Sequence, residues 1–112
     1  MSRKEFEKVM LSALKGLPPL IREKFVNVAI VIEDRESAED LLGLYEGHPL
    51  TERALEESGS APDKITLYKR NLEAMCAGDK ERLCLEIRRT LAHEIAHHFG
   101  ISDERLEELG LS

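Results

Sequence analysis

Apolar positions along this chain recur at helical spacing in two stretches and at strand spacing in three. Phe6, Val9, Met10, Ala13 and Leu14 follow the i, i+3, i+4, i+7 pattern of an amphipathic helix over residues 3–15. Gly16 and Pro18-Pro19 end it. A short helical turn over Leu20 to Phe25 follows, with Pro19 near its first position, and the bland expectation for the whole segment is a helix packed over a sheet. Val26 to Ile32 is short, β-branched and closed by the charged run Glu33 to Glu36, which predicts a strand. The polar connection runs on through Ser37-Ala38-Glu39-Asp40, with room for one helical turn. Leu41 to Tyr45 and Ile65 to Tyr68 read as the second and third strands. Between them, residues 46–63 carry Gly, Pro, Ser and Thr without apolar periodicity, and long irregular stretches of this kind often border a site. Asn71 is placed to cap a short helix over Leu72 to Ala77, ended by Gly78. Asp79 can cap a long helix to Phe99, Gly100 stops that helix, and Ser102 or Asp103 opens a last one ending at Gly110.

The long helix has two different faces. Leu83, Cys84, Ile87, Leu91, Ile95 and Phe99 make one broad apolar stripe. His93 and His97 fall roughly 140–150° from its centre at about 100° per residue. Incidental core histidines would fall on the stripe, which leaves a solvated surface pair as the alternative to a presented site. The stretch reads His93-Glu94-Ile95-Ala96-His97, an H-E-x-x-H pattern. Histidines four apart lie one turn apart on one face and can grip one metal ion. Glu94, about 100° around the helix, can reach a water activated by that metal without being a ligand, the arrangement of a zinc hydrolase. A catalytic zinc needs a third protein ligand. Gly100 allows a sharp turn, and Asp103, three residues on, can bring a carboxylate to the metal. Asp103 also suits the acidic first turn of the final helix, and the two roles are compatible. His98 points toward the apolar side and reads as a packed or supporting histidine. Glu86 and Thr90 share the metal face, either as solvated residues or as lining of a cleft. Tyr45, His48 and Tyr68 lie near strand ends or the long loop, where a donor to an oxyanion could sit.

Composition narrows the setting. A chain of 112 residues is expected to form one domain, residues 1–112, with a modest core. Its 42% apolar and 34% charged content is that of a globular protein, and 4% aromatic residues make the core aliphatic. A net charge of −6 argues against nucleic acid or anionic membrane as partner. No run of apolar residues is long enough to span a bilayer, and Glu5, Glu7, Lys8 and Lys15 interrupt the N-terminal segment where a signal peptide would be apolar. The expected compartment is the cytoplasm. Cys76 and Cys84 then read as reduced thiols, Cys84 as a small core residue and Cys76 at a helix end.

The segment HEIAHHFGISDERLEELG, residues 93–110, resembles the zincin metallopeptidases with the signature H-E-x-x-H-x-x-G-x-x-H/D. With LLGLYEGHPLTER (41–53) and DKITLYKRNLE (63–73), the whole chain is similar to a small bacterial family of minimal zincins. That resemblance implies an α+β fold (α/β two-layer) of minimal zincin type: a small mixed sheet of three to four strands packed on helices that include the metal-binding one. It implies Zn2+ on His93, His97 and Asp103, with Glu94 as the general base of peptide hydrolysis. It also implies a peptide or protein substrate pairing with an edge strand, for which Ile65 to Tyr68 is the candidate. No Met follows Met75, so the Met-containing turn of the larger metzincins has no counterpart here. Two other classes compete. One is a metal-dependent hydrolase of another kind: a bacterial rRNA-processing endoribonuclease family has a similar metal helix, but it lacks the glutamate after the first histidine, and an acidic chain suits RNA poorly. The other is a non-catalytic metal-binding module, which would have no need of Glu94.

Overall fold

The computed structural model describes residues 1–47 and 62–111. Its first helix, α1 (Arg3–Lys15), is capped by Ser2, whose hydroxyl accepts from the Glu5 amide. Helix α2 (Pro19–Arg22) and a 3₁₀ turn (Glu23–Phe25) lead to strand β1 (Val28–Glu33). Strand β2 (Gly43–Glu46) and strand β3 (Asp63–Tyr68) complete a three-stranded sheet of order β1-β3-β2. β3 pairs parallel with β1 and antiparallel with β2, so the sheet is mixed. Helices α3 (Lys69–Cys76), α4 (Lys80–Phe99) and α5 (Asp103–Glu108) follow, giving the α+β arrangement of a small sheet packed on helices.

Several boundaries move for local reasons. β1 starts at Val28 because Asn27 adopts φ 60°, a left-handed conformation that breaks a strand and that asparagine tolerates. The connection after β1 contains no helical turn. Instead the Ser37 hydroxyl accepts from the amides of Glu39 and Leu41, and Asp40 turns the chain at φ 56°. Asn71 does not cap α3, which begins at Lys69; its side-chain carbonyl accepts from the Ser37 amide and ties the connection to the helix. Asp79 does cap α4, accepting from the amides of Glu81 and Arg82, and Gly100 ends that helix at φ 70°.

The core is aliphatic. Ile65 and Leu67 from β3, Leu72 from α3, Leu83, Ile87, Leu91 and Ile95 from α4, and Leu106 from α5 are fully enclosed. Alternation along the sheet puts Ile30, Ile65 and Tyr45 in one cross-strand row and Ile32, Leu67 and Gly43 in the next. Helix α1 packs chiefly on α4, not across the sheet, burying Phe6 and Ala13. Its link to β1 is polar: the Arg3 guanidinium donates to the Ile32 carbonyl and to Asp34. Phe99 leaves the apolar stripe at the end of α4, where its ring is 47% exposed and lies under the Lys24 ammonium at 5.7 Å. Cys76 stands at a helix end as the sequence suggests, but the burial of the two cysteines differs from expectation. Cys76, at the end of α3, is buried and Cys84 only half-buried; both are free, and burial raises the Cys76 thiol's pKa. No described helix is long and apolar enough to cross a membrane.

Candidate metal centre

The last turns of α4 and the first residue of α5 meet at one point. His93 and His97 stand a turn apart on the face of α4 that avoids the core, His93 half-buried and His97 exposed. Gly100, in the left-handed conformation, reverses the chain, and the Ile101 amide returns to the Ala96 carbonyl at 2.9 Å. That return brings Asp103 back along the helix, its Oδ1 3.9 Å from His97 Nε2. One ligand atom each from His93, His97 and Asp103 fall within 4.8 Å of one another.

The donor set has the chemistry of a zinc site. Donors around a tetrahedral zinc sit about 3.3 Å apart, given bonds of about 2.0–2.2 Å. The Asp103 side chain is 81% exposed, so it can close that difference by rotation. The cap of α5 is made by Ser102, whose hydroxyl accepts from the Arg105 amide at 3.1 Å. Asp103 is therefore not consumed as a cap. His93 is tied from outside the trio: its Nε2–H donates to the Leu111 carbonyl oxygen at 3.0 Å, which leaves Nδ1 as the ring nitrogen for a metal. Backbone carbonyls commonly fix metal-binding imidazoles in this way. Leu111 is itself buried, which holds that carbonyl in place.

Glu94 lies beside the trio and outside it. Its Oε1 accepts from the main-chain amide of Tyr45 at 3.1 Å, and its Oε2 is 4.0 Å from His97 Nδ1. A cleft of about 410 Å³ opens between β2 and α4, lined by Leu41, Leu42, Gly43, Thr90, His93 and Glu94 among others. Glu86 and Thr90 belong to its wall. Glu86 is buried and paired with Arg89 at 2.8 Å, and the Thr90 hydroxyl donates to the Glu86 carbonyl. A larger cavity of about 470 Å³ lies on the other face of the sheet, lined by Leu44, Lys64, Thr66 and Tyr68 and by the 33–41 connection. It includes none of the motif residues.

The close approach of β2 to α4 depends on Gly43. A Cβ there would stand 2.6 Å from Thr90 Cγ2 and 3.2 Å from the Thr66 carbonyl oxygen. Gly43→Ala is expected to push the strand off the helix and to cost about 1–3 kcal/mol of stability, as overpacking does. Thr90→Ser in the same chain removes the clashing methyl and should recover most of the loss in a thermal unfolding measurement.

Three expectations from the sequence are corrected. Ile65 to Tyr68 is not an edge: β3 is the central strand, and the edge facing the metal helix is β2. Tyr45 does not present its hydroxyl to an oxyanion, because that hydroxyl donates to Asp63 Oδ2 at 2.6 Å. Tyr68 lines the cavity on the far face of the sheet. His48 and most of the irregular stretch lie outside the described residues. His98 is exposed but not free-standing: its ring stacks on Tyr45 at 4.1 Å, with Nε2 3.8 Å from Asp63. The buried Asp63 and the Leu111 carbonyl were missed by sequence reasoning. An acid opening a strand and a backbone carbonyl carry no motif; only the fold places them beside the site.

No curated protein matches the chain. The family model described as zincin-like metallopeptidase matches residues 25–111, which takes in all three strands, the metal helix and the turn to Asp103. By its sequence and its fold, the chain belongs to the zincin-like metallopeptidase family.

Proposed function

We propose that this protein is a zinc-dependent peptidase that hydrolyses peptide bonds, with His93, His97 and Asp103 as metal ligands and Glu94 as general base. The observation that carries this reading is the place of Glu94. Its carboxylate borders the ligand trio without joining it, and it lines the cleft beneath the edge strand. A purely structural metal site needs no such group. Zinc, when bound, supplies a Lewis acid for the scissile carbonyl and makes a water acidic enough to lose its proton near neutral pH.

The chain's own groups divide the remaining work. Glu94 takes the proton from the attacking water and passes it to the leaving amine as the C–N bond breaks. His93 is held by the Leu111 carbonyl, and the Glu94 and Asp103 carboxylates stand about 4 Å from the two ring nitrogens of the exposed His97. The cleft between β2 and α4 is where an extended peptide can lie against the metal face of the helix. A cleft of this size suits short or unfolded peptides, and the net charge of −6 makes RNA a poor substrate.

The test is a peptide library offered to the protein stripped of metal, and to the same protein reloaded with zinc to a content measured by mass spectrometry. Cleavage is expected only after reloading. Stoichiometric zinc without cleavage would leave a hydrolase of another class or a non-catalytic binding module. Failure to take up zinc at all would sink every metal reading.

A further inference from the structure

We infer that the main-chain amide of Tyr45 is the positioning group for Glu94, so that the edge strand β2 holds the base by its backbone. The inference rests on the reading of Glu94 as general base. In an antiparallel pair, peptide groups point alternately toward the partner strand and away from it. The Tyr68 amide bonds the Leu42 carbonyl, and Leu44 and Glu46 stand opposite Thr66 and Lys64. Leu42, Leu44 and Glu46 therefore face β3, and the Tyr45 amide faces outward. That outward donor meets Glu94 Oε1 at 3.1 Å, a direct bond from strand to helix.

The donor is itself rigidly held. The Tyr45 hydroxyl is bonded at 2.6 Å to Asp63, a buried residue of the central strand, and the ring is stacked on His98. Gly43, two residues earlier, keeps the strand close enough to α4 for the carboxylate to reach it. With Oε1 engaged on the strand, Oε2 is left on the side of His97, 4.0 Å from Nδ1. Because Oε1 already accepts the Tyr45 amide, Oε2 is the oxygen left to take the proton. A flexible glutamate would have to find this orientation anew at each turnover, and misplacement of a catalytic group is costly in rate.

Two measurements test this. Residue-resolved amide exchange by NMR on the zinc-loaded protein should show a protected Tyr45 amide. Protection should fall by about 10- to 100-fold in Glu94→Ala, as for loss of a hydrogen bond to a charged group, and survive in Glu94→Gln, which keeps an acceptor oxygen. Equal exchange in wild type and Glu94→Ala would overturn the inference. The second measurement compares Tyr45→Pro with Tyr45→Ala. Both lose the ring and hydroxyl, but only proline loses the amide, at an outward edge position where proline is tolerated. Proline should lower kcat at least about tenfold below alanine, with KM and zinc content unchanged. Equal kcat values for the two variants would also overturn it. The exchange arm requires no turnover, so it separates loss of the Tyr45–Glu94 hydrogen bond from failure of the peptidase reading, and it stands even where the proline variant does not fold.

Discussion

Glu94→Gln is expected to lower the rate of peptide cleavage by about 10²- to 10⁴-fold, the usual worth of a positioned general base. The variant should bind zinc as the native protein does, because Glu94 is not among the three residues whose ligand atoms converge. Glutamine is the informative replacement. Its amide oxygen can still accept from the Tyr45 backbone, so strand β2 and helix α4 keep their contact, while the group loses its basicity. The measurement is kcat/KM on a cleaved library peptide, with zinc content determined on the same sample. A variant with full zinc and undiminished cleavage would remove Glu94 from the reaction. A variant that lost zinc and cleavage together would instead make Glu94 part of the metal site's support.

The elements that carry this site are those the sequence reveals best, for a physical reason. Helix α4 is long enough for its apolar stripe and its histidine face to separate cleanly, and both of its ends are marked by side-chain chemistry, Asp79 at the start and Gly100 at the end. The pattern therefore places His93, Glu94 and His97 on one presented surface before any tertiary contact is known. Strand order is a different kind of property. Ile65 to Tyr68 alternates as an edge strand can, yet β3 lies in the middle because both other strands pair with it. Alternation reports which face of a strand is buried and says nothing about its neighbours. The same gap explains Tyr45. Its type suggested a free hydroxyl donor, whereas the register of β2 against β3 turns its backbone toward Glu94 and its side chain toward Asp63. Main-chain groups carry no residue-specific signature, so the Leu111 carbonyl on His93 was equally invisible.

Asp103→Ala is the second variant from which a large effect is expected: zinc affinity should fall by at least about 100-fold. Loss of a partner that merely supports a ligand costs about 10- to 100-fold, and loss of a ligand should exceed that. The obvious confounder is the helix that Asp103 begins, since an acid in the first turn also stabilises a helix N-terminus by about 0.3–1 kcal/mol. Ser102→Ala separates the two. Ser102 makes the capping bond to Arg105, so its loss should cost about 1 kcal/mol of stability while leaving metal affinity close to native. Asp103→Ala should do the reverse, changing affinity strongly and unfolding temperature of the metal-free protein little. Asp103→His offers a different zinc donor at the same point in the chain and is expected to recover affinity that alanine loses. Affinity is measured by competition with a chelator of known strength, on metal-free protein that has been shown to be folded. Equal affinities for the native protein and Asp103→Ala would return Asp103 to the helix terminus, and a two-histidine site would then need its third ligand from water or substrate.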